Sequence, residues 1–133
     1  MLRIGICDDL ADARFALRAA IERILESRKV SAQIFEFSSG ETLLRWFHHH
    51  AGELEIIFLD MELHELDGME TARRLRSADS GLQLVFVTGH SEHVFDGYRV
   101  GALGYLLKPP AQKQLEDVLD RAQAALYRGL DCA

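Results

Sequence analysis

The chain has 133 residues, 48% hydrophobic and 27% charged, a composition that suits about one globular domain with its own core and argues against disordered or collagen-like classes. Its formal net charge of −6 argues against unaided binding to nucleic acid or an anionic membrane, both of which need clustered Lys and Arg. Cys7 and Cys132 make no disulfide framework, Asp8, Asp9 and Asp12 interrupt the N-terminal apolar stretch before a signal peptide can form, and no apolar run reaches membrane length, so a cytoplasmic protein is expected.

Strand-like apolar runs alternate with helical periodicity from start to finish. Leu2 to Cys7 reads as a first strand that runs into Asp8-Asp9. Ala13, Leu17, Ala20, Ile21, Ile24 and Leu25 then recur at spacings of three and four, the pattern of one helix face, to about Arg28. Ala32 to Phe37 alternates as a short strand. Ser38-Ser39-Gly40-Glu41 offers an N-cap serine, with a glutamate nearby, for a second helix whose apolar side is Leu43, Leu44 and Phe47. Ile56 to Leu59 is apolar on both faces, as a central parallel strand must be, and ends at Asp60. A turn-rich loop from Met61 to Gly68 leads to a third helix around Met69 to Ser77. Leu84 to Val87 is a second two-sided strand, ending at Thr88. A short fourth helix is expected near Glu92 to Val100. Gly101 to Lys108 reads as the last strand, stopped by Pro109-Pro110, and Leu115, Val118, Leu119, Ala122 and Leu126 mark a final helix. Five β-α units joined by right-handed crossovers give an α/β fold with a five-stranded, doubly wound parallel sheet.

In such a sheet the carboxyl ends of the strands share one edge, where open α/β folds place their sites. Asp8, Asp9, Asp60, Thr88 and Lys108 would then meet in one pocket. Crowded carboxylates raise one another's pKa unless a cation sits among them, so the cluster calls for a divalent metal. The Lys and Thr beside it suit an incoming anion such as a phosphoryl group. Taken one at a time these residues have plainer readings: Asp8-Asp9 as a helix cap and dipole partner, Thr88 as a cap, Lys108 as a solvated charge and Tyr105 as cover for the core edge. His48-His49-His50 point in three directions on a helix and are expected at a solvated helix end, not around a metal. Cys7 reads as a small buried hydrophobe and Trp46 as helix packing.

Ile6-Cys7-Asp8-Asp9, Phe58-Leu59-Asp60-Met61, Asp67-Gly68, Phe86-Val87-Thr88 and Gly101 to Pro109, all in order, resemble the receiver domain of bacterial two-component response regulators, especially receivers linked to LytTR-type DNA-binding domains. The resemblance implies the flavodoxin-like (βα)5 receiver fold over residues 1–128, with 129–133 beginning a linker to an output domain. It implies that Asp60 is the phosphoacceptor for a sensor histidine kinase. Mg²⁺ would be held by Asp8, Asp9, Asp60 and the backbone carbonyl of Glu62, with Asp9 binding directly and Asp8 through water. Thr88 and Lys108 would contact the phosphoryl oxygens, Tyr105 would be the switch aromatic, and Lys108-Pro109 would be cis. Gly68 is expected to supply backbone freedom after Asp67. The implied function is a switch rather than a metabolic enzyme: phosphorylation would reshape the face of the fourth helix, last strand and last helix, promote a homodimer there, and control DNA binding by an output domain.

This chain departs from the family in carrying Leu63-His64 where Met-Pro is usual, so the loop after Asp60 is expected to be less rigid. Glu62, Gly89 and His90 leave the phosphoryl lifetime open, and His64, His90 and His93 stand as pH modulators near the site. A metal-dependent phosphohydrolase of the haloacid dehalogenase class would also use an aspartyl nucleophile with an acid two residues on, as in Asp60-Met61-Glu62. That class places the pair on its first strand and adds a cap domain. A receiver-like module that only binds would usually lack the acceptor or the acidic pair. A flavodoxin-like FMN protein would need a Ser/Thr/Gly-rich loop where Asp8-Asp9 stand.

Overall fold

The computed structural model describes residues 1–63, 65–89 and 100–131, with the side chains of 128–131 outside the description. Five strands, β1 (Leu2–Cys7), β2 (Ala32–Phe37), β3 (Ile56–Leu59), β4 (Gln83–Thr88) and β5 (Gly104–Leu107), form one sheet in the order β2-β1-β3-β4-β5. Every pairing is parallel, so the expected doubly wound flavodoxin-like sheet is present. Strand order reverses direction between β1 and β3, the switch point where such sheets open a crevice.

Because successive strand residues face opposite sides, the sheet carries two cores. Cys7, Ile57, Leu59, Leu84 and Phe86 face α2 (Gly40–His49) and α3 (Gly68–Ala78) through Leu43, Phe47, Ala72 and Leu75. Ile4, Ile6, Phe58, Val85 and Leu106 face α1 (Ala11–Ser27) and the C-terminal helix (Gln112–Asp131) through Leu17, Ile21, Leu115 and Leu119. A central strand such as β3, buried at all four residues, must be apolar throughout because both of its faces are covered. Ser39 caps α2, its side chain accepting from Thr42 N at 3.1 Å.

Two local expectations are revised. β5 begins at Gly104 rather than Gly101: Gly101 has φ +66°, and the Arg76 guanidinium of α3 donates to the carbonyls of Val100, Gly101 and Leu82 at 2.8, 3.3 and 2.6 Å. Residues 100–103 are thereby held as a turn against the start of β4. His50 is more than a solvated helix end, since its ring stacks on Trp46 with centroids 4.0 Å apart and 9° between planes. Trp46 in turn packs on Phe35 at 4.9 Å. The fourth helix expected near 92–100 lies outside the described residues except for Val100, which is in a turn; His64, His90 and His93 also lie outside them.

Candidate functional site

Backbone pairing at the switch point brings the acids together. Cys7 stands opposite Leu59 in the β1–β3 register, and Asp60 N donates to Cys7 O at 3.0 Å. Asp8 and Asp60 therefore leave the sheet side by side, both buried, at 5% exposure each. Asp9 follows in the turn to α1, and carboxylate oxygens of Asp8, Asp9 and Asp60 all lie within 4.8 Å of one another. The plain reading of Asp8-Asp9 as a helix cap does not hold: the N-cap of α1 is Leu10, with no side-chain cap hydrogen bond. Asp8 instead accepts from Leu10 N through Oδ1 at 2.9 Å.

β4 and β5 deliver the other two groups. Thr88 pairs with Leu107 at the ends of these strands, and Lys108 N donates to Thr88 O at 2.8 Å. Lys108 Nζ then reaches across the strand ends to Asp8 Oδ2 at 2.5 Å and Asp60 Oδ2 at 3.0 Å, so it is no solvated surface charge. Thr88 is fully buried, and its hydroxyl has no hydrogen-bond partner among the described residues. A buried hydroxyl left this way costs stability, a pattern that recurs at functional sites. Tyr105 is half-buried on β5, its ring 6.2 Å from that of Phe86. The Lys108-Pro109 bond is cis.

Electrostatics follow from this crowding. Burial raises the Asp60 pKa above its ordinary value, opposed by hydrogen bonds from Glu62 N and Lys108 and reinforced by the charge of Asp8. Burial pulls Lys108 down, but its bonds to Asp8 and Asp60 outweigh that and leave its pKa raised. An ion pair alone would lower its acid, so for Asp60 desolvation is the stronger effect. Cys7, in the apolar layer beneath, is pushed up to about 12 by burial first and then by Asp8, Asp60 and Asp9. It is an inert, protonated thiol, as the sequence suggested, and it registers the negative potential above it. Three hard carboxylate donors in one pocket fit a small oxygen-loving divalent cation.

Gly68 needs correction. It carries no positive φ; a Cβ there would overlap the Asp60 carbonyl oxygen and lie 2.6 Å from Met61 Cα. Space, not backbone freedom, demands glycine, because the start of α3 packs directly on the backbone of Asp60 and Met61. Asp67 caps α3, accepting from Glu70 N at 2.8 Å. One contributor escaped the sequence reading. Arg14 of α1 donates to the Asp8 carbonyl at 2.8 Å and pairs with Glu36 of β2 at 3.4 Å, bracing the acidic turn from outside. Asp8 lies in the turn ahead of the helix that carries Arg14, so helical spacing carried no signal of that contact, and Glu36 is distant in sequence.

The family model for the response regulator receiver domain matches residues 4–120. An uncharacterized response regulatory protein of Vibrio cholerae is 28% identical over 122 residues, 91% of this chain and 46% of that protein. The response regulator UvrY of Escherichia coli is 29% identical over 108 residues, 80% of this chain and 49% of UvrY. This chain thus spans about half the length of these relatives. In structure, a response regulator receiver domain protein from Clostridium thermocellum superposes with a TM-score of 0.82 over 100% of both chains at 20% identity, a likeness of fold. With the receiver match running from β1 into the C-terminal helix and an acidic pocket at the strand ends, the chain belongs to the receiver domains of two-component response regulators, the phosphoacceptor switches of that signalling system.

Proposed function

We propose that Asp60 is the phosphoacceptor of this receiver and that Asp8, Asp9, Asp60 and the Glu62 backbone carbonyl form its Mg²⁺ site. The observation that carries this reading is the convergence of three carboxylates within 4.8 Å with Lys108 Nζ bridging two of them. Mg²⁺, when bound, neutralises carboxylate charge and polarises the phosphoryl group. A carboxylate oxygen of Asp60 attacks phosphorus as the P–N bond of a kinase phosphohistidine breaks, the electron pair leaving with the imidazole nitrogen, which is protonated. An acyl phosphate on Asp60 results. Lys108 exchanges a carboxylate contact for a phosphoryl oxygen, as an ammonium point charge can, and the Thr88 hydroxyl gains the partner it lacks among the described residues.

A groove of about 480 Å³ between α1 and the Lys108–Pro110 turn opens onto Asp8 and Lys108, which gives a donor an approach. The partner is a sensor histidine kinase, and chemistry on small phosphodonors is incidental to switching. Tyr105 and Thr88 relay the change to the last strand and last helix, where the phosphorylated chain forms a homodimer. An output domain elsewhere in the protein, DNA-binding in this reading, would receive the signal. The test is intact-mass analysis after incubation with acetyl phosphate and Mg²⁺. One phosphoryl adduct, lost in Asp60→Asn and in excess chelator, is expected; persistent labelling of Asp60→Asn would rule the assignment out.

A further inference from the structure

The loop that joins Asp60 to α3 contains no proline, since both prolines of the chain stand at 109 and 110. Something else must fix its backbone. Met61 and Leu63 are buried, at 6% and 7% exposure, and Gly68 N closes the loop on Met61 O at 3.1 Å. Glu65 holds φ +61°, a left-handed conformation that a non-glycine residue keeps only where its surroundings impose it. The next residue is where they do so. Leu66 N donates to Glu41 Oε1, in the first turn of α2, at 2.9 Å across 25 residues of sequence. On the same turn Gly40 comes so close that a Cβ would lie 3.2 Å from Leu66 O. The start of α2 therefore holds Leu66 by its amide, with the Gly40 backbone packed close beside its carbonyl.

We propose that Glu41 is a positioning residue for the phosphoacceptor pocket: its carboxylate pins the loop whose Glu62 segment hydrogen-bonds Asp60 and presents a backbone carbonyl to the cation. This rests on the reading of Asp60 and Glu62 given above. Glu62 N donates to Asp60 Oδ1 at 3.0 Å, so a loop free to drift at Leu66 loosens a contact made directly to the nucleophile. Glu41 takes the part that a rigid residue within the loop could have played. The plainer role for an acid in a first helical turn is to favour the helix dipole. That role needs a charge, whereas pinning Leu66 needs only an acceptor, and glutamine separates the two.

The test compares wild type, Glu41→Gln and Glu41→Ala in the 133-residue chain, by amide hydrogen exchange at Leu66 and by Mg²⁺ titration followed through amide chemical shifts. Glu41→Gln keeps the acceptor and should match wild type. Glu41→Ala should speed Leu66 exchange by about threefold to tenfold, the worth of one net hydrogen bond. It should also raise the Mg²⁺ half-saturation several-fold, while the acetyl phosphate labelling rate at saturating Mg²⁺ stays within about twofold, as for a residue that positions rather than reacts. Unchanged Leu66 exchange in Glu41→Ala, or Glu41→Gln behaving like Glu41→Ala, overturns the proposal. A wild type that exchanges as expected at Leu66 but never labels would overturn the phosphoacceptor assignment instead, so the two readings fail separately.

Discussion

Asp60 is held at an electrostatic disadvantage that its chemistry can use. Its pKa is raised above the ordinary 3.8, chiefly by burial, so at neutral pH the folded protein bears the cost of an ionised carboxylate that the unfolded chain does not. The sign for stability follows. A carboxyl with a raised folded pKa takes up a proton in the native state first as pH falls, so its cost is present above the folded pKa and fades below it. With Asp8 left to pair with Lys108, Asp60→Asn in chelator should therefore be more stable than wild type at pH 7. That advantage should shrink as pH drops through the raised pKa, and melting curves of both proteins across pH 4 to 8 check it. A constant difference across that range would mean that burial of the charge is not its source. Lys108 was legible in sequence as a cation at the strand-end pocket, but not as the bridge between Asp8 and Asp60, because the span from 108 back to 8 depends on the strand order. The Thr88 side chain was legible by type and position; its full burial, with no partner for its hydroxyl among the described residues, needed the packing of β4.

Strands were easy to read where two-sided burial imposes an unbroken apolar run, as at Ile56–Leu59, or where an edge strand alternates, as at Ala32–Phe37, and both sit where the pattern put them. The start of β5 was not, because what stops the strand is Arg76 on another element reaching the carbonyls of Val100 and Gly101. Gly68 shows the same limit from the other side. A glycine after an aspartate reads as a turn whatever its reason, and only the contact between α3 and the end of β3 shows that its missing side chain is what matters. Gly68→Ala should cost about 1–3 kcal/mol, as overpacking does, and should move the Asp60 backbone. A urea midpoint lowered together with a slower acetyl phosphate reaction is expected; a midpoint within error of wild type would show that α3 can slide away without penalty.

At the scale of the whole molecule, both cores are buttressed by one sheet, and in the proposed switch a change at its carboxyl edge would reach the surface through the ends of β4 and β5. Phosphorylation can shift that surface only by what it contacts differently in two states. Wild type carrying beryllofluoride should sediment as a dimer, and Thr88→Ala, labelled equally well, should remain largely monomeric. Dimers of equal strength in both would place the signal on another surface. A last consequence comes from the inventory of charge in the pocket. Among the described residues three carboxylates meet the Lys108 ammonium, an excess of negative charge that would repel an approaching phosphoryl dianion. A divalent cation cancels that excess. On the proposed function the pocket would behave as a coincidence detector: the donor's signal would register only when the cation is also present, and by the reciprocity of coupled binding each input would strengthen the hold on the other.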